Sequence, residues 1–475
     1  MREITFASFH APRHRCARLV NVVALALTAW LAGCASLPKI VPDMAMTQLE
    51  PRLSGSKGPL SAERSKQIIE GLQDGRPDGK SKMLDRHLAL EQAVSDSPLS
   101  AGNKVVLLQN GPRTYSAMLA AIRAARDHIN METYILEEDE AGEQFAAALI
   151  ERQRAGVQVN LIRDSVGTLD TSAAFFQRLR DAGVKLVEFN PINPAAAKAG
   201  WDVNQRDHRK LLIVDGRVAL LGGINISGVY SGGSFGQRSE RRPALDQPWR
   251  DTDLQIQGPV VAEFQKLFIE TWEKQKGEPL APRRYFPALQ RQGDDVVHAI
   301  GSTPDDPYSA IYATLMSAIE NAEREVLLTN AYFVPDPQLL AALKAAVARG
   351  VDVRLVLPGS TDSALVFHAG RSYYDELLEA GIKIYERHGA LLHAKTATID
   401  GVWSTVGSTN LDWRSFLHNQ EVNAVVLGSG FGDQMRAAFD ADVAQSEQVT
   451  LDAWRHRSIA LRMKEQLARV WQYWL

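Results

Sequence analysis

The chain has 475 residues, 45% of them hydrophobic, and a formal net charge of −3 at pH 7. This balance argues against a protein that wraps nucleic acid or binds an anionic membrane by bulk electrostatics, so any attraction to an anion must be local. Two cysteines are too few for a disulfide framework in an exported protein of this size, and the fold must therefore rest on an ordinary apolar core.

The first element in chain order is a targeting segment. Arg13, Arg15 and Arg18 precede an apolar run over residues 19–31, which is shorter than the ~20 residues that a bilayer-spanning helix needs. The tetrapeptide Leu-Ala-Gly-Cys, ending at Cys34, then resembles the processing site of a bacterial lipoprotein, with residues 1–33 removed and Cys34 acylated. This predicts an envelope protein that faces the periplasm, on the outer membrane or on the outer leaflet of the inner membrane. A cleaved soluble signal or an uncleaved short anchor is the alternative.

Residues 34–98 are rich in Pro, Gly, Ser and Lys, which predicts a lipid-anchored linker that lets the folded body of the protein reach a nearby surface. Within it we expect a helical patch near residues 61–72 and a docking helix near residues 83–94. The same composition also fits simple disorder.

From Lys104 onward, helical patterns alternate with short apolar strands such as VVLLQ and VQVNLI. This alternation predicts an α/β fold with two halves, residues 99–285 and 286–450, each a mixed, mostly parallel sheet flanked by helices. We expect the halves to pack about a pseudo-two-fold axis. A C-terminal helix over residues 451–475 should pack against the two halves, and its aromatic end leaves a role at a membrane interface open.

An insertion over residues 228–249 has no equivalent in the second half. Its Gly and Ser content predicts a mobile loop beside the first histidine of the motif described next. Arg238, Arg241 and Arg242 in this loop either steer a phosphate headgroup or form an ordinary solvated face.

One polar constellation occurs twice in the chain, at offsets of 2, 7, 14, 15 and 17 residues from a histidine. Each copy predicts a hairpin with an Asp-Gly turn whose rim presents histidine, lysine and asparagine. Residues 154–162 also parallel 348–356, and 181–189 parallel 379–387, so a whole half-domain is repeated. The two copies are His208, Lys210, Asp215, Gly222, Gly223 and Asn225, and His393, Lys395, Asp400, Gly407, Ser408 and Asn410.

The pattern H-x-K-x(4)-D-x(6)-G-[GS]-x-N, present twice, resembles the phospholipase D superfamily over about residues 100–450. The second half is most similar to bacterial cardiolipin synthases, through NAYFVPDPQLLAALKAA, LPGSTDSALVFHAGRSYYDELLEAGIKIYE and STNLDWRSFLHNQEVN. The resemblance implies two homologous phospholipase D-like half-domains and chemistry on a phosphodiester.

Each motif residue then has an expected role. The resemblance implies that His208 is the nucleophile and His393 the acid and later the base, although the symmetry of the sequence does not decide this order. Asp215 and Asp400 count among the catalytic motif residues, but their place in Asp-Gly turns favours a structural role over direct catalysis. His368 and His418 are weaker candidates for contact with substrate. The phosphate-binding set is Lys210, Lys395, Asn225 and Asn410, and the acids expected to orient the histidines are Asp251 and Glu421.

The implied reaction is phosphatidyl transfer, in which two phosphatidylglycerol molecules give cardiolipin and glycerol through a phosphatidyl-histidine intermediate. Hydrolysis to phosphatidic acid by a phospholipase D is the nearest alternative. A phosphodiesterase acting on nucleic acid, or a non-catalytic lipid-binding lipoprotein, is more remote. The sequence contains no EF-hand, HExxH or cysteine cluster, so we expect no metal and no cofactor. The expected partners are phospholipid substrates and the membrane that holds the lipid anchor, without nucleic acid or an obligate protein partner.

Overall fold

The structure is a computed structural model that describes residues 51–73, 80–94, 97–193, 201–231 and 247–475. These residues fall within one structural unit, Lys39–Leu475. The targeting segment with Cys34 lies outside the described residues, as do Arg238, Arg241 and Arg242 of the insertion. Among the helices of the described residues, none has both the length and the apolar character required to cross a membrane.

Much of the predicted linker is folded against the rest of the protein. Leu53 and Leu88 are completely buried, and Ser54 pairs with Ser100 at the edge of the main sheet. The linker prediction is therefore wrong for these residues, because their apolar side chains find a place in the core, whereas the two helices expected in this region are present. The elements are β1 (Ser54–Gly55), β2 (Gly58–Pro59), α1 (Ala62–Gln73) and α2 (Lys80–Val94).

The first half extends from β3 to α6. Its strands are β3 (Ser100–Gln109), β4 (His128–Thr133), β5 (Gln158–Asp164), β6 (Lys185–Phe189), β7 (Arg206–Asp207), β8 (Leu211–Val214), β9 (Val218–Gly222) and β10 (Thr252–Gln257). Its helices are α3 (Gly111–Ala124), α4 (Glu140–Arg154), α5 (Ala173–Asp181) and α6 (Val261–Lys274), and a short 3-10 turn covers Gly228–Tyr230.

The second half extends from β11 to β18. Its strands are β11 (Asp295–Ser302), β12 (Glu325–Asn330), β13 (Asp352–Pro358), β14 (Lys383–Arg387), β15 (Lys395–Ile399), β16 (Trp403–Gly407), β17 (Asn419–Leu427) and β18 (Ser446–Val449). Its helices are α7 (Ala310–Glu320), α8 (Pro337–Ala348), α9 (Ala364–Arg371), α10 (Tyr374–Glu379), α11 (Trp413–Leu417) and α12 (Ser429–Val443).

The two halves have the same strand order, which confirms the predicted α/β class and the repeated half-domain. The order is β3–β10–β9–β8–β4–β5–β6 in the first half and β11–β17–β16–β15–β12–β13–β14 in the second. Equivalent first strands β3 and β11 pair antiparallel with each other and join the two sheets, as a two-fold relation between the halves requires.

The expectation of mostly parallel sheets is wrong. Only β4–β5–β6 and β12–β13–β14 are parallel in these two strand orders, where helices make the crossovers. The motif hairpins and the strands beside them are antiparallel. A tight Asp-Gly turn forces this direction, because it returns the chain directly beside the strand that it leaves.

Repeated cap residues explain why equivalent helices have similar ends. The side chain of Asp139 accepts a hydrogen bond from the backbone amide of Gly142 and starts α4, and Asp336 starts α8 in the same manner. Both helices end two residues before a glycine with φ of +91°, Gly156 or Gly350. These signals set the helices that flank each sheet.

One apolar core crosses the boundary between the halves. Phe264 and Phe268 of α6 share a buried cluster with Val422 and Val426 of β17. Each is fully buried, and burial of a side chain of this size contributes roughly 1.5–3 kcal/mol. This shared core holds the two motif hairpins in one rigid setting.

The C-terminal region differs from the single helix that was expected over residues 451–475. It contains α13 (Leu451–Arg455), α14 (Ile459–Arg469) and a 3-10 turn at Gln472–Trp474. The break occurs because the side chain of Ser458 accepts a hydrogen bond from the amide of Leu461 and starts a new helix.

Candidate active site

Each motif forms a hairpin that brings its histidine, lysine and asparagine to one end. Asp215 and Gly216 connect β8 to β9 with φ of 53° and 60°, and Asp400 and Gly401 connect β15 to β16 with φ of 55° and 65°. Two successive left-handed residues are typical of a type I′ turn, whose twist matches that of the paired strands. The start of the first strand and the end of the second therefore meet at the rim of the sheet.

The motif aspartates lie at the opposite end of these hairpins. Seven residues separate each from its histidine, which corresponds to about 20 Å of extended chain. Asp400 also lies 3.2 Å from Nε2 of the buried His87. The carboxylate of Asp215 accepts hydrogen bonds from the backbone amides of Arg126, Asp127 and His128. The carboxylate of Asp400 accepts hydrogen bonds from the backbone amides of Glu323, Arg324 and Glu325. These contacts tie each hairpin to the neighbouring strand, which supports the structural interpretation rather than direct catalysis.

Each motif histidine is held by an acid from the other half. His208 Nδ1 lies 3.0 and 3.1 Å from the two carboxylate oxygens of Glu421, and His393 Nδ1 lies 2.7 Å from Oδ2 of Asp251. Both acids are completely buried. The exchange is reciprocal, so neither half contains a complete site by itself.

Backbone hydrogen bonds repeat the exchange. The amide of His208 donates to the carbonyl of Gln420 at 2.9 Å, and the amide of His393 donates to the carbonyl of Arg250 at 2.8 Å. Each histidine is therefore fixed by the other half at both its backbone and its ring. Because Nδ1 donates its hydrogen to a carboxylate, Nε2 is the ring atom left to meet a substrate.

Charges of each half act on the motif histidine of the other half. Burial, followed by the charges of Lys210 and Lys395, lowers the pKa of His208 to about 4 against the opposing effect of Glu421. The pKa of His393 is lowered well below its usual range by burial, and then by Lys395, Lys210 and His208. Each imidazole thus responds to the lysine of the other half, and both are neutral near pH 7.

The two lysines are buried cations without a direct carboxylate partner among the described hydrogen bonds. Burial and the charge of the other lysine lower the pKa of Lys210 to about 7, and burial lowers that of Lys395 to about 8. Each ammonium group donates to the backbone carbonyl of its own motif histidine, His208 or His393. A bound anion would raise the pKa of both lysines and keep them positively charged. The pair is therefore suited to bind the non-bridging oxygens of a phosphodiester.

The acids behind the two histidines differ, which the symmetric motifs did not reveal. Burial alone would raise the pKa of Glu421, but His208, Lys210 and a hydrogen bond from Ser408 outweigh it and lower the pKa. Burial raises the pKa of Asp251 to about 6, although Lys395 and the amide of Thr252 oppose the shift. The carboxylate behind His208 is therefore the more firmly ionised of the two.

The position that alternates between glycine and serine in the motif explains part of this difference. Ser408 donates to Oε2 of Glu421. At the equivalent Gly223, a Cβ atom would lie only 2.3 Å from Oδ1 of Asp251, so the shorter acid occupies the space that a side chain would need.

Two tyrosines that sequence reasoning did not single out line the histidines. Tyr134 meets His208 edge-on at 5.0 Å, and Lys210 Nζ lies 5.1 Å from its ring centre. Tyr332 stands in the same relation to His393 and Lys395, at 6.1 and 5.9 Å. Each tyrosine follows its strand, β4 or β12, within one or two residues, and that shared position was the available signal.

The ends of the insertion lie against the second histidine and not the first. Tyr230 is buried, and its hydroxyl oxygen lies 3.0 Å from His393 Nδ1. The Trp249 ring packs 5.5 Å from His393 and 5.4 Å from Tyr230. The predicted position beside the first histidine is therefore wrong for these residues, because the chain crosses to the other half when Arg250 pairs with Leu392.

The remaining candidates have mixed settings. Asn225 accepts from the amide of Ile135 through Oδ1 and directs Nδ2 toward the Tyr230 hydroxyl at 3.4 Å, whereas the buried Oδ1 of Asn410 has no hydrogen-bond partner among the described residues. His418 packs against Tyr473, and His368 against Phe367; neither has a described contact with the motif histidines. Within the described ranges, no group of three or more His, Cys, Asp or Glu side chains is arranged to hold a metal ion.

Comparisons with known proteins agree with this geometry. A family model described as "Cardiolipin synthase, PLD-like domain" matches residues 118–232 and 315–443, one segment in each half. A cardiolipin synthase of Alkalihalophilus pseudofirmus is 33% identical over 421 residues, which cover 87% of this chain and 81% of the relative. One of Geobacillus kaustophilus is 35% identical over 388 residues, 81% of this chain and 74% of the relative. The crystal structure of a phosphatidylserine synthase of Haemophilus influenzae has a similar fold, with a TM-score of 0.59 and 13% identity over 83% of this chain and 100% of that chain.

Proposed function

Because the chain belongs to the phospholipase D-like family of cardiolipin synthases, we propose that it transfers a phosphatidyl group between two phosphatidylglycerol molecules, forming cardiolipin and glycerol. The observation that carries this proposal is the exchange of acids between the halves. It leaves Nε2 of both imidazoles for one phosphodiester, beside two buried lysines. This is the arrangement that a double displacement at phosphorus needs.

In the first displacement, Nε2 of His208 attacks the phosphorus of phosphatidylglycerol. The P–N bond forms, the P–O bond to the glycerol headgroup breaks, and His393 gives a proton to the departing glycerol oxygen. The firmly ionised Glu421 supports His208 as the nucleophile, because it stabilises the positive charge that develops on the phosphorylated ring. The bound phosphate raises the pKa of His393 and so supports its protonated form.

In the second displacement, a glycerol hydroxyl of another phosphatidylglycerol attacks the phosphatidyl-histidine. Its proton passes to His393, the new P–O bond forms and the P–N bond breaks, which restores neutral His208. Lys210, Lys395, Asn225 and Asn410 hold the non-bridging oxygens through both steps, with the lysines supplying charge and the amides supplying hydrogen bonds. Two inversions at phosphorus give overall retention.

Mass spectrometry of the products from defined phosphatidylglycerol vesicles tests the proposal. Cardiolipin with an equal amount of glycerol is the expected result. Phosphatidic acid as the main product would instead establish hydrolysis, in which water replaces the second lipid. The matched variants His208→Ala and His393→Ala should give no cardiolipin, and normal turnover by both would exclude the proposed catalytic pair.

We further propose that the mature protein begins at an acylated Cys34 and faces the periplasm. The support is the sequence of residues 13–34 alone, which lie outside the described residues. Cys34→Ser should prevent incorporation of labelled palmitate and weaken membrane association. Unchanged palmitate labelling in this variant would contradict acylation at this residue.

A further inference from the structure

The C-terminal helix α14 has an exposed apolar face. Ile459, Met463 and Leu467 are spaced four residues apart and Val470 follows after three, which places them on one side of the helix. Two further exposed tryptophans, Trp471 and Trp474, follow the helix directly. The six residues that form this apolar stripe are 40–75% exposed: Ile459, Met463, Leu467, Val470, Trp471 and Trp474.

The polarity of this helix is the reverse of that of an ordinary surface helix. Its inward side carries Glu465, which is 3% exposed and forms ion pairs with Arg457 at 2.5 Å and Arg371 at 3.7 Å. Arg469, on the same side, bonds to Glu376 at 3.2 Å. Polar contacts thus hold the helix to the body while its apolar side is left in water, where it gains nothing from hydrophobic burial.

Basic residues lie on both sides of the apolar stripe. At 100° per residue, Arg462 lies on one edge of the stripe and Lys464 on the other, and both are exposed. Lys and Arg beside Trp and large aliphatic residues are typical of helices that lie in the interface of an anionic bilayer. The tryptophans suit the level of the lipid headgroups.

Helix α14 is connected to the active site through helix α9 and the segment that follows β12. Helix α14 packs on α9, whose Gly370 lies against the carbonyl of Phe333, one residue after Tyr332 beside His393. The carboxyl-terminal end is also fixed near the site, because the amide of Arg414 donates to the carbonyl of Leu475 at 2.9 Å.

We propose that the apolar stripe docks on the surface of a bilayer that contains anionic phospholipid and holds the active-site opening against it. The proposal rests on the proposed function in so far as it makes the docked surface the source of the substrate. Charge complementarity identifies the occupant: a second copy of the chain, related by a two-fold axis, would place the basic edges with Arg462 and Lys464 near their own equivalents. Anionic headgroups neutralise them instead.

A probe at the stripe tests docking without turnover. The full chain, with His208→Ala, Cys16→Ser and Cys34→Ser, carries a polarity-sensitive fluorophore at Leu467→Cys, and a matched chain carries it at Phe286→Cys. Leu467 and Phe286 are 65% and 57% exposed, and Phe286 lies beside the Gly216 turn, at the end of the hairpin away from the histidines.

The fluorophore at position 467 should shift to the blue and be quenched by brominated acyl chains when phosphatidylglycerol vesicles are added, and much less so with phosphatidylcholine vesicles. The fluorophore at position 286 should not respond. No response at 467, an equal response at both positions, or a fluorophore at 467 already shielded in a sedimenting dimer would overturn the proposal. Because this chain is inactive by design, the result is independent of whether the proposed reaction is correct.

A kinetic comparison tests the same surface in the active enzyme. Leu467→Glu combined with Val470→Glu should lower the ratio of activity on phosphatidylglycerol vesicles to activity on dispersed short-chain phosphatidylglycerol by about tenfold. Phe286→Glu introduces one glutamate at an exposed apolar position elsewhere and should leave the ratio unchanged. An unchanged ratio in the double variant would overturn the docking role, whereas absence of cardiolipin in every chain would count against the proposed reaction alone.

Discussion

The two histidine-orienting acids should respond unequally to the loss of their charge. Thr252 donates its amide hydrogen to Oδ1 of Asp251, and His393 Nδ1 binds Oδ2. The substitution Asp251→Asn leaves a single side-chain oxygen to accept hydrogen bonds from both the Thr252 amide and His393 Nδ1. If the oxygen stays with Thr252, the new NH2 group faces His393 and forces its hydrogen to Nε2, which then cannot act as the base.

Glu421 has a more tolerant setting. Its Oε1 accepts from His208 and from Asn419 at 3.2 Å, and its Oε2 accepts from Ser408. A glutamine can keep its oxygen at the Oε1 position and donate to Ser408, since the serine hydroxyl has the carbonyl of Val422 as a second acceptor at 3.3 Å. The tautomer of His208 is then preserved, and only the negative charge is lost.

The two substitutions should therefore lower kcat by different factors. Loss of the orienting carboxylate together with a shift of the histidine to the wrong tautomer lowers kcat by ~10⁴-fold. We therefore expect Asp251→Asn to lower kcat by about this factor. A hydrogen bond to a charged group contributes about 1.5–3 kcal/mol, so Glu421→Gln should lose roughly 10- to 150-fold. The assay is the initial rate of cardiolipin formation by chains whose circular dichroism and thermal unfolding have been measured.

The control is a buried acid of the same kind outside the site. Glu91 lies 2.7 Å from Nδ1 of the buried His298 and also accepts from Trp403. Glu91→Gln should destabilise the fold but leave kcat of the folded enzyme within about twofold, since no reacting atom is near. Equal losses for Asp251→Asn and Glu421→Gln, or a reversed order with both folds intact, would refute this reasoning.

Three further predictions address the roles and charges of the site. His393→Ala should still release one equivalent of 4-nitrophenolate from a 4-nitrophenyl phosphatidyl ester and stop at a covalent intermediate, because this leaving group needs no proton; a burst from His208→Ala instead would exchange the two roles. Asp400→Asn should lower the free energy of unfolding in urea by about 2 kcal/mol with little change in kcat, and the opposite pattern would support a catalytic aspartate. The value of kcat/KM should rise through pH about 6 as Asp251 ionises and fall from about 7 upward as first Lys210 and then Lys395 lose their protons, since burial raises the pKa of the acid and lowers those of the lysines; a flat profile from pH 5 to 9 would contradict these shifts.

The sequence predicted the parts of the fold that depend on residues close together in the chain. The Asp-Gly turn of each hairpin, at residues 215–216 and 400–401, has the backbone conformation that this pair favours. The α/β alternation and the helix near residues 83–94 were also recognisable from local periodicity. The direction of the sheets was not, because the antiparallel pairings around the first hairpin, β4–β8, β9–β10 and β10–β3, join strands distant in sequence.

The site was predictable as a set of residues but not as an arrangement. Asp251 and Glu421 were expected to orient histidines, but nothing local indicates that each serves the histidine of the other half. Tyr230 illustrates the same limit, since its contact with His393 spans 163 residues, inside an insertion with no counterpart in the repeat. Pairing of this kind depends on how the halves pack, which composition and spacing do not encode.

The exchange of acids also explains how a repeated sequence can divide two chemical tasks. If each half oriented its own histidine, a change in one half would alter its acid and its imidazole together. Here Ser408 adjusts Glu421 for His208, while Gly223 leaves room for the shorter Asp251 beside His393. A single serine-to-glycine difference between the repeats therefore acts across the boundary, and under the proposed mechanism it favours a strongly supported nucleophile on one side and a more readily titrated proton carrier on the other.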